Sequence, residues 1–254
     1  MNLFSLENKR ILVTGAAQGI GFIMARGLAQ HGAEIIINGT SEERAENAAM
    51  KLRDEGFTAH TAVFNVADPQ GVEAGIEKIE STIGPIDVLF NNAGIQLRKP
   101  LTELAVDEWH RVLDTNLTSA FLVGREAAKR MIARGNGGKI INIGSLTSEC
   151  ARATVAPYTV SKGGIKMLTR AMTAEWAANK IQINAIGPGY MATDMNEALL
   201  NNPQFDGWVK SRTPAGRWGL PQELAGAAIF LASRASDYVN GQIIYVDGGM
   251  LAVL

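Results

Sequence analysis

Cys150 is the only cysteine among 254 residues, so the chain can form no intramolecular disulfide and carries no C-x-x-C metal or redox pattern. Histidine is almost as scarce. His31, His60 and His110 are too scattered to make a metal-ligand spacing, and no metal site is expected. Neither charge sign is in excess, since 24 Lys and Arg face 25 Asp and Glu without a long run of either. That balance argues against a nucleic-acid surface or an electrostatic membrane patch. No uninterrupted apolar stretch reaches the ~18 residues of a membrane-spanning helix. The start, Met1-Asn-Leu-Phe-Ser-Leu-Glu7, lacks the basic and apolar regions of a signal peptide. A cytoplasmic protein is the expectation.

The composition, 46% hydrophobic and 19% charged, is that of a chain able to bury a large core. Apolar runs of strand length recur at 10–14, 34–38, 61–65, 86–92, 139–145, 182–187 and 243–247. Helical periodicity fills the intervals at about 19–31, 41–55, 69–83, 106–133, 157–179 and 221–234. This alternation predicts an α/β fold: a Rossmann-type, doubly wound parallel sheet of about seven strands, covered on both faces, as a single domain over 1–254. The longest departure is 188–220, which carries Pro188, Pro203, Pro214 and several glycines. Ligands of such sheets sit outside the carboxyl ends of the strands, so this segment is expected to be a lid over the substrate.

Two local patterns point to chemistry. The first strand runs into Thr14-Gly15-Ala-Ala-Gln18-Gly19-Ile20-Gly21 and then a helical stretch. Glycines there let the backbone approach a pyrophosphate, and the helix start offers free N–H groups. The spacing is not the common G-x-G-x-x-G, and alone it is weak. Farther on, Tyr158 and Lys162 stand four apart on a predicted helix, hence on one face. A cation beside a phenol favours the phenolate and makes it useful in proton transfer near neutral pH.

In series, Thr14-Gly-x-x-x-Gly-x-Gly21, Asn91-Asn-Ala-Gly94, Asn116, Ser145 and Tyr158-x-x-x-Lys162 resemble the short-chain dehydrogenase/reductase family of the classical type. The resemblance spans essentially the whole chain. It implies a nicotinamide-dependent enzyme that interconverts a secondary alcohol and a ketone by hydride transfer. Tyr158 would then be general acid and base, and Lys162 would hold the phenolate and the nicotinamide ribose. Ser145 would bond the substrate oxygen, and Asn116 would keep a water on the proton path. Dinucleotide contacts are expected from Gly15, Gln18, Gly19, Ile20, Gly21, Asn65, Val66, Asn92, Ala93 and Gly94. The segment Pro188-Gly189-x-Met191-x-Thr193 would meet the nicotinamide carboxamide. Relatives are usually homotetramers, and the apolar tail Gly249–Leu254 would suit burial between subunits.

The second strand ends in Gly39-Thr40-Ser41, without the acid that would bond the ribose of NAD and repel a 2′-phosphate. NADP is therefore the expected cofactor. Gln18, Glu42 and Glu43 weigh the other way, and NAD stays possible. Within the family the chain is similar to gluconate 5-dehydrogenases, through Ala93-Gly-Ile-Gln-Leu-Arg-Lys-Pro100 and Arg212-Thr-Pro-Ala-Gly-Arg-Trp-Gly219. A polar ketone or alcohol, most plausibly the pair D-gluconate and 5-keto-D-gluconate, follows as the expected substrate. Gln96, Arg98, Glu149 and Arg152 would border it with Ser145 and Tyr158, Arg98 taking the carboxylate. A 3-oxoacyl-[acyl-carrier-protein] reductase, another polyol dehydrogenase or a non-enzymatic dinucleotide sensor are the alternatives.

Overall fold

Residues 2–193 and 196–253 are described by the computed structural model of the chain. Its strands are β1 (Arg10–Val13), β2 (Glu34–Gly39), β3 (Ala59–Val63), β4 (Val88–Asn91), β5 (Gly138–Ile143), β6 (Ile181–Pro188) and β7 (Ile243–Val246). They form one parallel sheet in the order β3-β2-β1-β4-β5-β6-β7. The order reverses between β1 and β4, and the strand ends open a crevice there. Both faces of the sheet are buried, which is why its strands read as continuous apolar runs rather than as alternation. Ile11, Val13, Ile35 and Ile37 pack toward α1 (Gly19–Ala29), α2 (Glu42–Asp54) and α9 (Leu224–Ala232). Leu12, Ile36, Leu89 and Ile140 point the other way, toward α3 (Pro69–Thr82), α5 (Ser119–Arg134) and α6 (Ala156–Trp176). Among the described residues no helix is long and apolar enough to cross a membrane.

Local chemistry sets the helix limits. The Ser41 hydroxyl accepts the Arg44 N–H at the head of α2, and Asp68 accepts the Gln70 N–H ahead of Pro69 at the head of α3. Gly135, at φ 74°, ends α5 in the left-handed conformation that suits glycine. Three expectations need correction. The third strand occupies 59–63 and not 61–65, so Asn65 and Val66 lie beyond it; Asn65 Oδ1 accepts the Ala67 N–H and turns the chain. The helix expected over 106–133 is α4 (Val106–Leu113), a π-helical turn at Asp114–Thr118, and α5. Periodicity alone does not register the one-residue slip of a π turn. The segment 188–220 contains two helices, α7 (Glu197–Leu200) and α8 (Pro203–Arg212). The second starts on Asn202, whose side chain accepts the N–H groups of Gln204 and Phe205. The sequence marks this stretch as a lid without assigning helices to it.

A polar chain runs through the centre of the protein. Asn91 on β4 donates to Asn142 Oδ1 on β5 at 2.9 Å and to the Ala120 carbonyl at 3.2 Å. Asn142 donates in turn to the Thr169 hydroxyl on α6 at 2.9 Å. Asn142 is fully buried, so without it Asn91 keeps only the Ala120 carbonyl and the Thr169 hydroxyl only its bond to the Ile165 carbonyl, each having lost one partner in a dry interior. Asn142→Ala should destabilise the protein by about 2 kcal/mol, the cost of two lost buried hydrogen bonds plus a small cavity. A urea midpoint within error of the parent would show that the chain of amides is dispensable.

Candidate active site

The loop between β1 and α1 is shaped by what its glycines exclude. Gly15 has φ 61°, and a Cβ there would lie 2.9 Å from the Ala93 Cα. At Gly21 a side chain would collide with the Asn92 amide and the Gly15 carbonyl. Gly19 is different: φ is 63°, yet nothing lies within 4 Å of its missing side chain. Close packing behind and open space in front make a cradle at the head of α1, with Gln18 as the exposed residue preceding the helix and Ile20 half-buried in its first turn. The loop is pinned by Thr14, whose hydroxyl accepts the Asn92 and Ala93 N–H groups at 3.0 and 3.1 Å. Asn92 Nδ2 donates back to the carbonyls of Thr14 and Gly15 at 2.9 and 3.2 Å. Its Oδ1 is buried without a partner among the described residues. These residues fit a bound dinucleotide.

Farther along the crevice, Gly39 ends β2, and a Cβ placed on it would have the Ala17 Cβ as its nearest neighbour, at 3.5 Å. Thr40 is exposed beside Ser41. Asn38, just before them, is a residue that sequence reading left unassigned. Its buried amide accepts the Gly15 N–H at 3.3 Å and donates to the Ala62 and Phe64 carbonyls. It thereby ties the cradle to β3. At the other end, Pro188 closes β6 and Gly189 N–H donates to the Val246 carbonyl at 2.9 Å. The Met191 carbonyl accepts the N–H of Thr193 and the side chain of Asn196, both at 3.0 Å.

Of the four residues expected to do chemistry, Tyr158, Lys162 and Ser145 come together, and Asn116 approaches them through Ser161. Tyr158 and Lys162 lie in the first turns of α6, with Lys162 Nζ 5.5 Å from the centre of the Tyr158 ring. Lys162 is buried and donates to the Ile143 carbonyl at 2.6 Å. Burial brings its pKa down to about 8, so it still carries charge at neutral pH. Burial pushes the Tyr158 phenol above its ordinary value, while a hydrogen bond with Ser145 and the charge of Arg98 pull it down. Ser145 lies two residues beyond the end of β5 and caps a short 3-10 turn, its Oγ accepting the Thr147 N–H at 3.2 Å. Ser148 locks that turn to α6, accepting the Ser145 N–H and donating to the Lys162 carbonyl.

Asn116 sits in the π-helical turn and is buried. Its side chain accepts the Ile95 N–H at 2.7 Å and donates to the Ile95 carbonyl at 2.9 Å. It therefore clamps the strand-end loop, beside Gly94, and its Nδ2 also reaches Ser161 at 3.3 Å. Nothing in the sequence pattern had singled out Ser161 or Ser148.

The expected substrate residues divide. Arg98 donates to the side-chain oxygen of Gln96 at 2.9 Å and stands in electrostatic reach of Tyr158, Tyr190 and Arg152. Burial first, and the Arg152 charge second, hold its pKa below the ordinary value. Arg152 donates to the Tyr190 hydroxyl at 3.3 Å and lies over the Phe205 ring at 5.0 Å. Glu149 is engaged elsewhere: Lys166 and the Tyr245 hydroxyl both donate to it, and these bonds hold its carboxyl below the usual range. The lid contributes an aromatic cluster in which Tyr190 meets Phe205, Trp208 and Trp218 edge-on at 5.5–5.8 Å. Trp218 Nε1 donates to Asp206, fixing α8 to the segment that follows it.

The family model described as Enoyl-(Acyl carrier protein) reductase matches residues 15–251. The chain is 53% identical to the 5-keto-D-gluconate 5-reductase of Escherichia coli K12, over 100% of this chain and 99% of that protein. It is 49% identical to the gluconate 5-dehydrogenase of Gluconobacter oxydans 621H, over 100% and 98%. Among solved structures, a gluconate 5-dehydrogenase from Burkholderia cenocepacia J2315 in complex with NADP and tartrate superposes with a TM-score of 0.97. That protein is 51% identical, with coverage of 100% of this chain and 99% of its own. With an ordered glycine cradle, a Ser-Tyr-Lys cluster and relatives of this closeness along its full length, the chain belongs to the short-chain dehydrogenase/reductase family.

Proposed function

We propose that the protein is an NADP-dependent oxidoreductase that interconverts D-gluconate and 5-keto-D-gluconate. The observation that carries this reading is the Tyr158 phenol, with Ser145 and Arg98 in reach of it and Lys162 Nζ 5.5 Å from its ring centre. Two relatives of about half identity bear the names of this reaction, and a third was crystallised with NADP and a small hydroxy acid. NADP, when bound, supplies or accepts the hydride. Tyr158 moves the proton at the substrate oxygen, giving it in reduction and taking it in oxidation, while Ser145 orients that oxygen. Lys162 keeps a positive charge beside the phenol and is positioned for the ribose. Asn116 holds Ile95, and through it the loop that carries Gln96 and Arg98. A guanidinium at the cleft suits a small acid better than the long apolar acyl chain of a carrier-bound thioester.

Gly39, Thr40 and Ser41 leave the end of β2 free of negative charge, which favours a 2′-phosphate over NAD. The enzyme is read as cytoplasmic and as a homotetramer. The apolar side chains of Phe121 on α5 and Val160 and Met167 on α6 stand exposed and support assembly. Val253 in the tail is exposed as well, while Leu254 lies outside the described residues.

Tyr158→Phe should lower kcat by about 100-fold or more, the usual worth of a positioned acid-base group, while NADPH affinity stays near that of the parent. Near-normal turnover in that variant would end the mechanism. Gly39→Asp meets ordinary van der Waals space and should fold. It should shift the ratio of kcat/KM from NADP toward NAD by roughly ten-fold or more, through repulsion of the phosphate. A parent that already prefers NAD would refute the cofactor assignment. For Lys162, the folded-state pKa of about 8 lies below the ordinary 10.5. Between these values the unfolded chain binds more protons, so the stability of the parent relative to Lys162→Met should rise with pH across that window. Urea midpoints of both proteins at either end of the window test this, and a constant difference would contradict it.

A further inference from the structure

Two guanidinium groups share one side of the cleft, and among the described residues neither is held by a carboxylate. Arg98 bonds Gln96, and Arg152 bonds the Tyr190 hydroxyl. Their like charges oppose each other, so the pair is unfavourable by itself and gains from an anion between its members. The backbone enforces the juxtaposition. Thr154 adopts φ 68°, a strained conformation for a β-branched residue, and its carbonyl accepts the Lys99 N–H at 2.8 Å. That bond joins the loop of Arg98 to the loop of Arg152, with each arginine within two residues of it.

Arg152 has a second neighbourhood. Its guanidinium lies 5.0 Å from the centre of the Phe205 ring on α8, and its hydroxyl partner Tyr190 packs edge-on against Phe205 at 5.6 Å. Lid and cleft therefore meet at this side chain. A cation over an aromatic face gains most when water is kept away, so a carboxylate that fixes the guanidinium also fixes the face on which α8 rests.

We propose that Arg152 is a specificity-determining residue: with Arg98 it binds the carboxylate of an open-chain sugar acid and, through Phe205 and Tyr190, couples that binding to the seating of α8 over the cleft. The assignment rests on the sugar-acid reading above. A neutral sugar of the same shape supplies no charge to the pair and forgoes both effects.

The test compares 5-keto-D-gluconate with L-sorbose, which has CH2OH in place of the carboxylate, in NADPH assays of the parent, Arg152→Ala, Arg152→Lys and Phe205→Leu. Trp208 and Trp218 lie in the lid cluster, so their fluorescence during a D-gluconate titration reports on α8. Arg152→Ala should raise KM for the acid roughly ten-fold more than for L-sorbose, with kcat for the acid falling less than KM rises. Arg152→Lys should recover part of the loss. Phe205→Leu, which keeps Arg152, should raise the acid KM several-fold and remove the fluorescence change. If L-sorbose is not turned over, the acid KM and the fluorescence decide. Equal losses on acid and neutral substrate, or a Phe205→Leu enzyme that behaves as the parent, overturn the proposal. A parent that reduces 5-keto-D-gluconate while Arg152→Ala does so equally well overturns the Arg152 assignment alone. A parent that reduces no sugar acid overturns it together with the proposed function.

Discussion

The pairing of the Thr14 hydroxyl with the Asn92 and Ala93 backbone, answered by the Asn92 amide on the Thr14 and Gly15 carbonyls, is the contact from which the site takes its shape. It joins the ends of β1 and β4 at the point where strand order reverses. A parallel sheet leaves its carboxyl-end backbone groups unpaired there, and buried polar groups need partners. Thr14 and Asn92 satisfy several of them while holding Gly15 and Gly21 against the strand ends. The cradle at the head of α1 is thus a by-product of how the sheet finishes its hydrogen bonding.

The same logic extends to the reacting groups. The chain Asn91-Asn142-Thr169 fastens α6 to the sheet, and Ser148 fastens the Ser145 turn to α6. Tyr158 and Lys162 then occupy positions that burial makes electrostatically costly: the phenol is pushed up and the ammonium down. Stability is given up at these two residues, as is common where buried titratable groups are arranged for function. The π-helical turn at Asn116 belongs to the same compromise. It breaks the regular ladder in order to aim one amide at Ile95.

The residues proposed to meet the substrate are differently supported. Arg98 and Arg152 sit on loops joined by the Lys99–Thr154 backbone bond, and Phe205 of α8 packs against the second of them. A scaffold that fixes the chemistry and loops that vary the recognition is how one fold serves many substrates.

Periodicity and end signals in the sequence determined seven strands and their order of appearance, the glycine turn, the Tyr158-Lys162 face and the lack of an acid at Gly39, because these depend on residues near one another in the chain. Relatives of known name agree with that reading of family and reaction. Strand ends at β3, the π turn within 106–134 and the helices α7 and α8 were not legible, since a shift of one or two residues changes hydrogen bonding without changing apolar pattern. Nor did spacing reveal that Glu149 is taken up by Lys166 and Tyr245, or that Asn38 supports Gly15 across 23 residues. Arg98 and Arg152, 54 positions apart, were expected at one site from the sequence, but only the tertiary structure set Phe205 and Tyr190 against the second of them. Such contacts are decided by packing between distant elements, which local sequence does not encode.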